Sequence, residues 1–253
     1  MGIRFIYGRA GSGKSRFCLD QIRKKIENNK NNKLVLIVPE QYTFQTENKL
    51  LDIVGEKALL RTEILSFKTM CSRVFEECGG RTHQIMKDEG KSMLIYKLLQ
   101  EKSDDLKYFN RISRKQGFIE VVSKTLTEFK KYNISPEILV EELDNLEDDE
   151  LKDKLIDLTD LYNEYNSRIE NNVVDGDDEL TILKNKLKHC NIYEGAEIWI
   201  DEFTTFTPQQ LDIISELASK AKTINITLCM DGNSNTKANE ETDIFNAIKN
   251  TEN

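Results

Sequence analysis

The sequence predicts an α/β protein: a parallel β-sheet flanked by helices and interrupted by a large all-helical insertion. Three observations predict it. The apolar runs at residues 3–7, 33–39 and 197–200 are continuous rather than alternating, as in strands covered on both faces. Each is followed by turn residues and then by a stretch of helical periodicity. Between Asp88 and Cys190 the spacing is helical throughout, with no convincing strand.

In chain order, Ile3-Arg4-Phe5-Ile6-Tyr7 reads as a short buried strand. It runs into Gly8-Arg9-Ala10-Gly11-Ser12-Gly13-Lys14-Ser15, a G-x-x-x-x-G-K-S pattern. A helix follows, with Phe17, Leu19, Ile22 and Ile26 spaced for one apolar face. Strand, glycine loop and helix together make this a phosphate-binding hypothesis. The glycines let successive N–H groups converge on one point, and the helix N-terminus adds partial positive charge. Lys14 reaches phosphate oxygens, and the Ser15 hydroxyl is suited to Mg²⁺. The alternative is a glycine-rich turn that binds nothing.

Lys33 to Val38 is a second buried strand, ended by Pro39. Gln41 and Thr43 follow at its C-terminal end, where α/β proteins place ligand-contacting loops, and a helix runs on through Leu50 and Leu51. Residues 62–67 form a third strand, with Ser66 as cap of a helix that stops at Gly79-Gly80. The insertion then carries helices near residues 88–102, 111–132, 136–146, 148–170 and 177–189. Ser135-Pro136 supplies a cap and first-turn proline, and Leu151, Leu155, Leu158, Tyr162, Tyr165 and Ile169 form a core stripe. The division expected is residues 1–86 with 191–253 for the sheet domain and 87–190 for the insertion.

Two charge runs mark the insertion. From Lys107 to Lys131 seven Lys/Arg and two Glu are interleaved with Tyr108, Phe109, Phe118 and Phe129. Such a segment either holds a nucleic-acid backbone, with Arg111, Arg114 and Lys115 as contacts, or is a solvated face whose aromatics lie in the core. From Glu141 to Asp160 ten acids and two lysines read as solvated surface without calcium-loop spacing.

Strand character returns at Glu197-Ile198-Trp199-Ile200 and ends in Asp201-Glu202. Paired with the glycine loop, these acids complete a nucleotide site: Asp201 orients Mg²⁺ with Ser15, and Glu202 handles the attacking water. Thr207-Pro208 caps the next helix. Residues 222–230 form a last strand, and Asp231-Gly232-Asn233 follows where a γ-phosphate sensor sits. A short helix and tail end the chain, and His83 and His189 read as surface or loop residues.

Composition narrows the classes. A net charge of −8 excludes a bulk nucleic-acid binder while leaving room for a local basic face. Five cysteines without a CxxC pair read as reduced thiols of a cytoplasmic protein rather than a metal cluster. No run approaches the ~18 apolar residues of a membrane span.

An early glycine loop, a long helical insertion and a late Asp-Glu strand give the layout of the first motor lobe of superfamily 1 helicases, a RecA-like P-loop NTPase sheet. More closely, the chain resembles the N-terminal part of the B subunits of AddAB-type ATP-dependent helicase/deoxyribonucleases. The resemblance is carried by residues 7–15, Val38-Pro39-Glu40-Gln41-Tyr42-Thr43-Phe44, Leu65-Ser66-Phe67, Phe129-Lys130-Lys131-Tyr132-Asn133-Ile134-Ser135-Pro136 and residues 200–210. It implies a fragment of a longer protein that binds ATP and Mg²⁺ and forms a heterodimer with the A subunits of the same complexes. The implied complex processes double-strand DNA ends for recombinational repair. The family's nuclease domain and iron–sulfur cluster are C-terminal, and nothing in this chain matches them. The related lobes further imply DNA contacts at the sheet's C-terminal edge, through Gln41, Thr43, Ser66 and Phe67.

Three departures bear on activity. No segment precedes Ile3 to supply the adenine-reading glutamine of translocating relatives, Thr204 stands where they carry glutamine, and Asn233 does likewise after the last strand. The expectation is a site that holds nucleotide with little ATPase of its own. Two other readings stay open: a small-molecule P-loop kinase, which needs a compact acceptor site, and a structural interaction module with a vestigial loop.

Overall fold

The computed structural model describes residues 2–28, 32–55, 60–79, 84–113, 115–169 and 173–230. Its elements run in the order β1 (Gly2–Tyr7), α1 (Lys14–Glu27), β2 (Leu34–Ile37), α2 (Thr43–Val54), β3 (Thr62–Leu65), α3 (Phe67–Cys78), β4 (Gln84–Met86), α4 (Asp88–Lys102), α5 (Gln116–Lys131), α6 (Pro136–Leu143), α7 (Asp149–Arg168), β5 (Val173–Asp175), α8 (Glu179–His189), β6 (Glu197–Ile200), α9 (Pro208–Lys220) and β7 (Thr223–Leu228). Two compact units emerge, Met1–Gly79 with Ile182–Asn253, and Gly80–Thr181.

The first unit is built on a five-stranded sheet in the order β1-β7-β6-β2-β3, and every pairing is parallel. β2 and β6 are buried at every residue, which is why their sequences are apolar apart from Glu197, whose buried carboxylate is paired with Lys25 and Asn32. Removing each such side chain from water contributes about 1.5–3 kcal/mol. Cys18, Leu19, Ile22 and Ile26 of α1 pack with Leu34, Leu36, Leu50 and Trp199. β1 departs from the expected buried strand, with Ile3 51% exposed. Among the described residues it is the sheet's edge and pairs with β7 alone, so half of its surface has no strand beside it. Phe17 likewise leaves the core stripe and lies exposed under the Arg4 guanidinium, 5.7 Å from the ring centre.

Two caps are as the sequence predicts. Ser66 accepts from the Thr69 N–H and Thr207 from the Gln210 N–H, and both complete capping boxes. The reading of five reduced cysteines is corrected. Cys78 at the end of α3 and Cys190 beyond α8 form a disulfide, with Cα atoms 6.1 Å apart across 112 positions. That separation hides the pair from any local spacing rule.

The second unit packs α4, α5, α6 and α7 around Ile95, Leu98, Leu99, Phe109, Phe118, Val122, Leu126, Leu161, Tyr162 and Tyr165. It is not strand-free as expected. β4 and β5 pair in parallel over three residues each. Strands so short carry no periodicity to read. Beneath this pair lies a buried ionic network. The Lys130 ammonium donates to Asp175 at 2.8 Å and Asp178 at 2.6 Å. Lys91 donates to Thr127 at 2.7 Å and to Asp177, and the Tyr165 hydroxyl donates to Asp175 at 2.8 Å. The acidic run is not wholly solvated either: Asp157 is buried and accepts from the N–H groups of Lys107, Tyr108 and Phe109 at 2.9–3.0 Å.

Candidate functional site

Because the five strands are parallel, the turns after β1, β2, β3, β6 and β7 all leave one edge of the sheet, where open α/β sheets bind ligands. The glycine loop leaves β1 there, with the Gly8 N–H held by the Leu228 carbonyl at 3.2 Å. A Cβ at Gly8 would fall 2.3 Å from Ser12 Oγ and 3.3 Å from Lys14 Cγ, so the loop's own side chains would have to move to admit one. Gly11 and Gly13 take left-handed φ angles of 75° and 89°, which glycine adopts without strain. Gly13 ends the loop at the N-terminus of α1, which has neither a side-chain cap nor an acid in its first turn. That end therefore keeps open donors and positive dipole charge.

Lys14 lies across the loop, its ammonium donating to the carbonyls of Gly8 at 2.8 Å and Arg9 at 2.9 Å. Main-chain carbonyls carry no full negative charge, so the ammonium stays electrostatically suited to an anion. Opposite, Ser15 Oγ donates to Glu202 Oε1 at 3.0 Å, joining positions 187 residues apart. Asp201 is 4% exposed and accepts from Thr227 Oγ1 at 2.5 Å, while its N–H bonds the Ile37 carbonyl. Glu202 is exposed and has a left-handed φ of 67°, rare for a residue with a side chain. Cys18 behind the loop is inert: burial, reinforced by Asp201, pushes its thiol up to about 12.

The residues fit a Mg²⁺-bound nucleotide. Gly8, Arg9, Ala10, Gly11, Ser12, Gly13, Lys14 and Ser15 form the loop and the first turn of α1, where Gly11 and Gly13 take left-handed angles, and a cation and a hydroxyl–carboxylate pair flank it. No cluster of three or more His, Cys, Asp or Glu suited to a metal ion occurs among the described residues. The Ser15 hydroxyl and the carboxylate oxygens at the β6 exit are the hard oxygen donors that Mg²⁺ accepts.

The other expected contacts are distributed unevenly. Gln41 is exposed, and Thr43 Oγ1 donates to the Glu40 carbonyl. Ser66 and Phe67 are withdrawn from the surface: the first is spent on the α3 cap, and the second is buried edge-on to Phe203. The same sheet edge instead presents Phe44, 74% exposed, beside Tyr42, and a stack of Phe203 on Phe206 at 5.0 Å. The exposed aromatics of the turn after β2 share with Gln41 and Thr43 the position at a strand's C-terminal end, the signal by which the sequence singles out that turn. In the helical unit, Arg111 and Lys115 are exposed and Arg114 lies outside the described residues. Phe109 and Phe118 are in the core, Lys130 is buried in ion pairs, and Lys124 pairs with Glu120. Asp231-Gly232-Asn233, the terminal helix and His83 lie outside the described residues. No helix among the described residues is long and apolar enough to cross a membrane.

Comparison with known proteins places this geometry in context. A family model described as "ADDB, N-terminal" matches residues 5–253. Proteins named as the B subunits of ATP-dependent helicase/deoxyribonucleases are similar over the whole chain. That of Clostridium perfringens (strain 13 / Type A) is 53% identical over 252 residues, and that of Clostridium botulinum (strain Loch Maree / Type A3) is 46% identical over 253. The protein of Clostridium acetobutylicum is 46% identical over 252 residues. The chain spans 22% of the length of each.

Proposed function

The chain belongs to the ADDB N-terminal family, and on that footing we propose that it is a nucleotide-binding, DNA-facing lobe of a helicase/nuclease subunit. The observation that carries the reading is the loop itself. A side chain at Gly8 would displace Ser12 and Lys14, Lys14 is bonded to carbonyls rather than to a carboxylate, and the α1 N-terminus is uncapped. ATP is the ligand proposed, its phosphates on the loop amides and Lys14. A bound Mg²⁺ supplies charge neutralisation between the terminal phosphates. Ser15 and the acids at the β6 exit complete the site.

The lobe works within a larger cytoplasmic assembly, a heterodimer with the complex's A-type motor chain, processing double-strand DNA ends for recombinational repair. Gln41 and Thr43, flanked by the exposed rings of Tyr42 and Phe44, offer a single strand both hydrogen bonds and stacking surfaces. Arg111, Arg114 and Lys115 are a second, phosphate-directed set. An iron–sulfur cluster belongs to the remainder of the full-length protein. Hydrolysis in this class draws on an arginine finger worth about 10³–10⁵ in rate, and the chain by itself turns ATP over negligibly. The reading is tested by thermal shift and by turnover. Mg·ATP at 100 times its Kd raises stability by about 2.7 kcal/mol, while phosphate release stays at background. Equal melting with and without nucleotide points to a vestigial loop, and brisk turnover by the chain alone refutes the holding role.

A further inference from the structure

We propose that Cys78 and Cys190 are a site of reversible thiol–disulfide exchange with low-molecular-weight thiols and disulfides, and that their bond is a redox-responsive clasp at the root of the helical unit. The inference takes the cytoplasmic placement from the proposed function and is independent of the nucleotide reading of the glycine loop. Its ground is where the bond lies. Cys78 ends α3, with only Gly79 between it and the helical unit Gly80–Thr181, and Cys190 follows α8, by which the chain returns. The separation of 112 positions therefore encloses every residue of that unit. The bond ties the outgoing and the returning chain together within the first unit.

Three observations make the bond exchangeable rather than permanent. The first is access. Cys78 is exposed, whereas Cys190 is buried. A small thiolate in solvent reaches one of the two sulfurs, and exposed disulfides belong to the labile class. The second is the leaving group. Attack at Cys78 expels Cys190 as a thiolate. The Lys220 ammonium donates to the Cys190 carbonyl at 2.9 Å and to the Lys188 carbonyl at 3.0 Å, so a cation is anchored on the residue that takes up the negative charge. The third is what remains after reduction. The Lys186 ammonium donates to the Gly79 carbonyl at 2.7 Å and lies 5.3 Å from the Phe75 ring centre. These contacts join α8 to the end of α3 without the disulfide, so the two thiols stay near each other and the bond re-forms. In a reducing compartment the disulfides that do occur are chiefly transient or redox-sensing.

The exchange balances in both directions. In reduction, a small thiolate attacks Cys78 Sγ and the bond to Cys190 breaks. Cys190 leaves as a thiolate and takes a proton from solvent. A second small thiol attacks the mixed disulfide, releases Cys78 as a thiol and forms a small disulfide. Two small thiols are oxidised and two protein thiols appear. Oxidation is the reverse, driven by a small disulfide. The thiol pool thereby sets how firmly the two chain ends of the helical unit are held.

The test equilibrates the full chain, without nucleotide, in glutathione mixtures from fully reduced to fully oxidised, followed by alkylation, intact mass and peptide mapping. The expected result is the joint loss of two alkylatable thiols within that range, mapped to a Cys78–Cys190 peptide pair. Cys18, Cys71 and Cys229 stay alkylatable after denaturation in both states. The oxidised form melts roughly 4–16 °C above the reduced form. Amide exchange quickens on reduction in residues 75–78 and 186–190 more than in β2 or β6. Cys78→Ser melts like the reduced wild type in both buffers, and its exposed position supplies the control if Cys190→Ser does not fold. A pair still bonded in excess reduced glutathione is a permanent staple and overturns the exchange. Thiols unchanged in oxidised glutathione, a different pairing, or equal Tm in the two states overturns the clasp. None of these results bears on the glycine loop, whose reading stands or falls by nucleotide titration.

Discussion

Lys14 and Lys130 carry the same charge into opposite circumstances. Lys130 is 5% exposed, with two carboxylates within 2.8 Å and the Tyr165 ring 5.3 Å from its ammonium. Lys14 is half-buried and rests on two main-chain carbonyls. The first cation is neutralised inside the fold, with nothing left to offer a ligand. The second rests on main-chain carbonyls at the loop proposed to hold an anion. The difference teaches that a buried, paired charge reports on architecture, whereas a charge satisfied only by dipoles reports on binding. Motif position alone separates neither case, since both lysines lie in stretches that the family resemblance singles out.

The largest effect expected from breaking this contrast is at Lys130. Lys130→Ala leaves the buried Asp175 without its main counter-charge and the partly exposed Asp178 without its partner, at a cost of about 3–5 kcal/mol. Urea unfolding followed by circular dichroism reads this directly, and a loss below about 1 kcal/mol would show the network to be dispensable. Lys14→Ala, by contrast, changes stability without nucleotide by no more than about 0.5 kcal/mol while removing nucleotide-dependent stabilisation.

Acid sharpens the same comparison. Burial pushes the Asp175 carboxyl up, but Lys130 and Lys91 outweigh it and hold Asp175 below its usual value. Burial likewise opposes Lys25 and Asn32 at Glu197, and the partners again prevail. A lowered folded value means stability that is present above the usual carboxylate range and is lost as pH falls through it. At Asp178 burial wins over Lys130 and the value is raised, so its protonation on acidification relieves a cost. The expected profile is flat between about pH 7 and 5 and falls steeply below about 4. The urea midpoint as a function of pH checks it, and a steep loss already above about pH 5 would contradict these directions.

The smallest effect separates two left-handed residues. Asn133 and Glu202 have φ angles of 56° and 67°. Asn133 follows α5 and tolerates this conformation well, so Asn133→Gly shifts stability by less than about 1 kcal/mol and leaves nucleotide binding alone. Glu202→Gly is at least as well tolerated by the backbone and yet weakens the binding of Mg·ATP, because the acids at the β6 exit complete the proposed site. A Glu202→Gly variant with unchanged Mg·ATP affinity would make the left-handed turn a mere loop feature.

Much of this fold was legible because local chemistry and global position agree. The run at β2 is apolar on every residue, and that at β6 on every residue after the ion-paired Glu197, because both faces are covered. Ser66, Thr207 and Pro208 start helices where capping physics puts them. What was not legible depends on partners far away in sequence. The exposure of β1 follows from its place at the sheet edge, and the Cys78–Cys190 disulfide from a 112-residue return of the chain. The β4–β5 pair is too short to show a period, and the burial of Asp157 depends on three N–H groups some fifty positions upstream. At the site the glycine loop was readable residue by residue. The burial of Ser66 and Phe67 and the Ser15–Glu202 bond were not, since each is set by tertiary packing.

The central claim is that Lys14 and its loop hold a nucleotide. Its most direct test is titration of Mg·ATP into the wild-type chain and into Lys14→Ala under one buffer, read by heat of binding. The account expects saturable binding by the wild type and at least about a tenfold loss, 1.4 kcal/mol, in the variant, the scale of one lost charge-assisted hydrogen bond. Equal affinities in the two proteins, or heat in neither, would contradict it.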